Sequence, residues 1–190
     1  MWKQLIFRNL FFTLIMLTII SCNDDKELSN TTGLSSHYIG EQFGGGVIFH
    51  LWKDNAGVEH GLIVALTDQK SLWSNVNCDN STSFWDGLSN SNAIVAQAGH
   101  TNSAASLCLN LVIGGQSDWY LPSNDELYYL WHNRFNINKT LATISGATVL
   151  LGTFWSSTCA IGRDPYYSSG GGFYTDDNDR IKYVRAIRSF

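Results

Sequence analysis

Three clusters in this chain hold residue types able to do chemistry. The first is Asp118, Asp125 and Glu126 within "SDWYLPSNDELYYLW", residues 117–131. Two carboxyl groups can divide acid and base work only if both face one reacting atom. The second is "TDDND", where Asp176, Asp177 and Asp179 offer carboxylate oxygens of the kind calcium takes. The third is Cys159, a nucleophile if a neighbouring group draws off its proton. The five histidines stand at 37, 50, 60, 100 and 132. No pair has helix-face metal spacing, so zinc is not expected.

Each cluster also has a plain structural reading. Ser123-Asn124-Asp125-Glu126 fits a capping box, in which Ser123 and Glu126 satisfy each other's backbone N–H. Asp125 then lies in the first turn, where the helix dipole favours negative charge. Adjacent on a helix, Asp125 and Glu126 should point apart, which argues for an anchor and against a catalytic pair. Leu127, Leu130 and Trp131 supply its apolar face. Asp118 is placed to accept backbone hydrogen bonds. The "TDDND" segment is equally the solvated tip of a hairpin. "RDPYYSSGGGFY" sets Tyr166, Tyr167, Phe173 and Tyr174 on a glycine-rich loop, with Arg180 beyond it. Such rings stack on sugar faces if exposed, or pack beneath the loop if not.

The elements that must position these groups follow from periodicity. Val47–Trp52 and Leu62–Leu66 are short apolar runs around the turn-rich "KDNAGVEHG", which predicts a hairpin with a central first strand. "NAIVAQAG" predicts a short helix ending at Gly99. Ala104, Leu107, Cys108 and Leu111 mark one face of a second helix. "LLGTFWSST" predicts a strand. Phe173–Tyr174 and Ile181–Ile187 predict a terminal hairpin around "TDDND". The three-residue step from Val184 to Ile187 suggests a bulge. Strands at both ends and helices between them make an α+β domain, with the first and last strands close together.

The start of the chain reads as an address. Lys3 and Arg8 precede the unbroken apolar run Leu10–Ile20, too short at eleven residues to cross a bilayer. The run ends in "IISC", which resembles the cleavage box of bacterial lipoproteins. That likeness implies a signal peptide at 1–21 and an acylated Cys22. Acyl chains, at about 0.8 kcal/mol per buried methylene, would bind the protein to a membrane. Residues 22–39 then form a flexible tether. Its segment 23–36, "NDDKELSNTTGLSS", spans roughly 20 Å. The acidic "NDDKE" suits export to the outer face of the cell, or a solvated linker. Losing Lys3 and Arg8 takes the formal charge from −4 to −6, which disfavours nucleic acid.

Three cysteines remain, at 78, 108 and 159, in a compartment that permits disulfides. An odd number leaves one thiol over. A Cys78–Cys108 bridge would tie the long polar loop to the second helix. Alternatively Cys108 is a small buried hydrophobe on its helix face.

"GGVIFHLW", "HGLIVALTDQ", "DWYLPSNDEL", "FWSST" and the terminal "VRAIR" together resemble the Lcl C-terminal domain family. The likeness runs from about Gly44 to Phe190, the domain being set at 40–190. It implies a compact C-type-lectin-like fold with a terminal hairpin and two or three helices. It makes Trp119, Pro122, Glu126, Leu127, Trp155 and Arg185 fold markers, while Cys159 departs from the family pattern. Some members are linked to sulfated glycans and adhesion. The expectation is a non-catalytic surface lipoprotein of the outer membrane, facing outward. Its partners would be the membrane, through lipid, and a glycan or surface protein. Calcium at Asp176, Asp177 and Asp179 is the one cofactor considered. An enzyme on a lectin-like scaffold and an envelope-assembly component are the alternatives. The net acidity fits a sulfated ligand only if Arg180, Lys182, Arg185 and Arg188 gather on one face.

Overall fold

Strand β1 (Gln42–Phe43) pairs antiparallel with β2 (Gly46–Lys53), which turns back as β3 (Glu59–Ala65). The turn is local chemistry: Asp54 Oδ1 accepts from the backbone N–H groups of Ala56 and Val58, each at 2.9 Å. The computed structural model describes residues 35–160 and 164–190. The leader, Cys22, most of the tether and Arg163 therefore lie outside the described residues. Leu34–Phe190 forms one compact unit. No helix among the described residues is long and apolar enough to cross a membrane.

The last strand, β9 (Ile187–Ser189), pairs with β3 and completes a four-stranded sheet in the order β1-β2-β3-β9. Phe190 and Gly61 exchange backbone hydrogen bonds at 3.1 Å, and the Phe190 ring meets Phe43 of β1 at 5.2 Å, so the two ends of the domain meet although β9 pairs with β3 and not with the first strands. The second sheet runs β4-β8-β5-β6-β7. Its strands are β4 (Gln69–Ser71), β5 (Thr153–Cys159), β6 (Pro165–Ser169), β7 (Gly172–Thr175) and β8 (Lys182–Val184). Between the sheets in sequence come α1 (Gly87–Val95), α2 (Ala104–Leu109), α3 (Asn124–His132) and α4 (Arg134–Leu141). The domain is thus mixed α+β, with four helices among the described residues where two or three were expected. Helix α4 is hard to see in sequence because only Ile137 and Leu141 of its eight residues are buried.

The β2–β3 pair is covered on both faces. Ile48 and Ile63 join Trp73, Ile94, Trp119, Leu121 and Trp155 in one apolar cluster. Val47, Phe49, Leu62 and Val64 join Leu127, Leu130, Ile137 and Phe154 in another. Trp73, Trp119 and Trp155 are fully buried, and each indole N–H donates to a backbone carbonyl: Ser156, Gln116 and Ser71. Large rings enter a core at little polar cost only when that N–H is satisfied.

The expected hairpin around "TDDND" does not form. Strand β7 returns onto β6 through Gly170 and Gly171, with φ of +62° and +91°. A two-residue hairpin turn of this hand needs positive φ at both central positions, which glycine supplies at no steric cost. Residues 176–181 instead carry the chain across to β8, which pairs with β4 and β5. The suspected irregularity between Val184 and Ile187 is a change of sheet. Val184 ends β8 in one sheet, Ile187 opens β9 in the other, and Arg185 is fully buried between them.

The disulfide joins Cys78 to Cys159, and Cys108 is a free, buried thiol, so the Cys78–Cys108 pairing is overturned. The loop holding Cys78 runs along the end of β5, where Cys159 N–H donates to Ser81 O at 2.7 Å. Cys108 is held by α2 within the core, and burial pushes its thiol pKa up.

Glu59 fixes the start of the domain. Its carboxylate accepts from the Ser35 hydroxyl, from the Ser36 hydroxyl at 2.7 Å, and from the Ser36 and His37 N–H groups at 3.1 Å. The Ser35 and Ser36 hydroxyls lead in lowering its pKa from 4.5 to about 2. A depressed carboxyl pKa stabilises the folded contact above pH 4.5 and loses that contribution as pH falls towards 2. Protection of the Ser36 and His37 amides, measured against their intrinsic exchange rates, is therefore expected to fall over that window. Glu59→Gln should show low protection of both amides at every pH.

Candidate functional site

The site begins with an irregularity in β2. Ile48 pairs with Ile63 and His50 with Leu62, so Phe49 is an extra residue on its strand. Such a bulge sets two residues opposite one and reverses the alternation beyond it. Phe49 remains in the cluster with Leu127 and Leu130, yet His50 also reaches α3 and stacks on Tyr129 at 4.0 Å between ring centres. Trp52 follows on the same side, 5.7 Å from His50, and His60 of β3 stacks on Trp52 at 5.5 Å. The result is a row of four rings, Tyr129–His50–Trp52–His60. Burial lowers the His50 pKa, which keeps its ring neutral at pH 7.

A second wall comes from the loop before α1. Asp125 N–H donates to Phe84 O at 2.8 Å, and Ser83 Oγ accepts from Asp86 N–H at 3.0 Å. Asp86 then caps α1 by accepting from Ser89 N–H at 2.8 Å. These bonds pin residues 83–86 between two helix N-termini and hold Trp85 outward with 75% of its surface exposed. Phe84 meets Tyr166 at 5.7 Å, which extends the aromatic face to β6. Trp52 and Tyr129 are 41% and 42% exposed. Between the walls lies a cleft of about 190 Å³, lined by His50, Trp52, Leu62, Trp85, Asp125, Glu126 and Tyr129.

The capping box exists as expected. Ser123 N–H donates to Glu126 Oε2 at 2.8 Å, and Glu126 N–H donates to Ser123 Oγ at 3.4 Å. Glu126 does more than its sequence pattern shows. It also accepts from Gly87 N–H at 3.2 Å and from the Tyr120 hydroxyl at 2.8 Å. One carboxyl therefore ties α3 to the start of α1 and to the segment entering α3. A Cβ at position 87 would lie 2.4 Å from that carboxyl, so glycine is required there. Burial raises the Glu126 pKa and the donors oppose it. Asp125 and Glu126 both line the cleft, but they do not form a pair facing one atom. They are not equivalent: both Glu126 oxygens are engaged, whereas Asp125 is exposed and its side chain meets no cation among the described residues. The third acid, Asp118, receives Arg188 Nε at 2.6 Å and Nη2 at 2.8 Å, which lowers its pKa. It clamps β9 and is not an acceptor for backbone alone.

The other ring group is divided between two faces of the β6–β7 hairpin. Tyr167 and Tyr174 pair across the strands at 5.7 Å, with Lys182 Nζ 4.1 Å from the Tyr167 ring. Tyr166 turns to Phe84, and Phe173 packs into the cluster that includes Trp131. Of the four, only Tyr174 is exposed; the other three are half-buried.

Asp176, Asp177 and Asp179 surround Arg180, and Lys182 also pairs with Asp176. Their oxygens are directed to cations of the protein itself, and no set of three acidic, histidine or cysteine side chains among the described residues is placed to hold a metal. Arg180, Lys182, Arg185 and Arg188 do not gather on one face. Arg185 and Arg188 are buried against Asp68 and Asp118. Cys159 is a half-cystine and offers no thiol.

A larger groove, about 800 Å³, lies elsewhere among the described residues, between residues 75–80 and the end of α1. Asn75, one of its polar lining residues, is engaged with Gly99, Thr101 and Asn102. It has no aromatic lining, whereas His50, Trp52, Trp85 and Tyr129 line the smaller cleft. No known family and no curated protein matches this chain.

Proposed function

We propose that this is a non-catalytic, lipid-anchored surface protein whose domain binds a glycan. The observation that carries the reading is the open face built by Trp52, Trp85 and Tyr129 around an acidic cleft. Solvent-exposed tryptophans cost free energy in a monomer and mark places where a ligand covers them. Flat apolar rings beside a hydrogen-bonding carboxylate match the two surfaces of a pyranose. The lipobox at Cys22 supplies the membrane partner, and the Cys78–Cys159 bridge suits an oxidising compartment outside the cytoplasm. The C-type-lectin-like assignment rests on the sequence resemblance, and the pairing of β3 with the terminal β9 supports it.

An enzyme on the same scaffold is the weaker reading. Its two candidate centres, Cys159 and the Asp176 loop, are committed to a disulfide and to internal ion pairs.

The test is a glycan array probed with residues 34–190, with and without calcium, followed by calorimetry on the hits. Trp52→Ala and Trp85→Ala should each weaken binding by about 2 kcal/mol, roughly 30-fold in Kd. The fold should persist, because both indoles are largely outside the core. Blank arrays under both conditions would overturn the glycan reading and leave a protein partner of the envelope.

A further inference from the structure

Rings alone do not select among sugars; the charges around them do. We infer that the cleft between Trp85 and the Tyr129–His50–Trp52 row is a subsite for a protonated amino group, so that the preferred ligand is an oligosaccharide of unacetylated amino sugars. This deepens the glycan reading above and rests on it.

Two carboxyl groups, Asp125 and Glu126, line the cleft, and no lysine or arginine does. Glu126 has its oxygens filled by Ser123, Gly87 and Tyr120, which leaves Asp125 as the acceptor open to a ligand. The start of α3 contributes about half a positive charge, which the exposed Asp125 carboxylate by itself outweighs. The face of an aromatic ring attracts a cation within about 6 Å, tryptophan most strongly. Two tryptophans and a tyrosine surround this cleft. His50, kept neutral by burial, adds no repulsion at pH 7. With about 190 Å³, the cleft is below the usual ligand-pocket range of roughly 300–1,000 Å³, so it suits one charged substituent while the rest of the chain lies along the rings.

The same charges argue against a sulfated ligand. Recognition of sulfate, like that of phosphate, calls on arginine forks. Arg185 and Arg188 are buried in ion pairs, and Arg180 is ringed by Asp176, Asp177 and Asp179.

The experiment compares three probes on residues 34–190 at pH 7 and fixed ionic strength: a glucosamine oligomer, the N-acetylated oligomer of equal length, and a heparin fragment. Calorimetry and tryptophan fluorescence report binding. The amino oligomer should bind roughly tenfold more tightly than its acetylated counterpart. Asp125→Asn should bring that ratio close to one, with far-UV circular dichroism confirming the fold. Equal or tighter binding of the acetylated or sulfated probe would overturn the subsite and leave the glycan reading standing. Binding of none of the three, together with a blank array, would overturn both.

Discussion

Arg185→Ala is expected to destabilise the domain by about 3–5 kcal/mol, the cost of breaking a buried ion pair from one side. Arg185 is fully buried, and each of its three guanidinium nitrogens faces an oxygen. Nη1 donates to Ala65 O at 2.7 Å, Nη2 donates to Thr148 O at 2.8 Å and to its hydroxyl at 3.0 Å, and Nε faces Asp68. Thr148 in turn donates to Asp68 Oδ2 at 3.2 Å and accepts from Asp68 N–H at 3.1 Å. One guanidinium thus fastens the end of β3, the loop after α4 and the crossing from β8 to β9. Alanine would leave Asp68 half-buried without its cation and two carbonyls without donors. Since whole domains are stable by only about 5–15 kcal/mol, this loss is a large share of the total. Urea denaturation of the folded domain measures the loss. Arg185→Lys keeps the charge but not the fork, and should fall between the two. The pair Arg185→Met with Asp68→Leu should be milder than Arg185→Ala, because it orphans no charge.

Reduction of the Cys78–Cys159 bridge should have an effect of similar size. The two cysteines are 81 residues apart. Closing such a loop removes unfolded-state entropy worth about 4.5 kcal/mol in the chain-entropy model, above the usual range of about 2–4. The bridge holds the loop 75–82 on β5, whose last residue is bonded to Ser81. The Cys78→Ser, Cys159→Ser double variant should lose about 2–4 kcal/mol on denaturation, and the loop should become protease-sensitive. Non-reducing peptide mapping should link Cys78 to Cys159. Cys108, buried and with a raised pKa, should resist alkylation until the domain unfolds.

The acidic stretch shows how far local chemistry reaches. Ser123 and Glu126 form the cap that their spacing implies, since a capping box involves four consecutive residues and no others. What Glu126 does for Gly87 and Tyr120 was not legible, because those partners arrive from another helix and an extended segment. The cysteines show the same limit. An odd count implied a leftover thiol, but the choice of Cys159 over Cys108 depends on which strand end lies beside residue 78.

By itself, the sequence determined the α+β class, the first hairpin, the capped α3 and the meeting of the domain's two ends. These follow from periods of two and 3.6 and from turn residues, all short-range signals. Tertiary structure alone decided the aromatic face. A plain alternating β2 would put His50 and Trp52 on the side of Ile48, in the core. One extra residue at Phe49 turns them towards Tyr129. A bulge is a mismatch in residue count between two paired strands, so it shows in the pairing and not in one strand read alone.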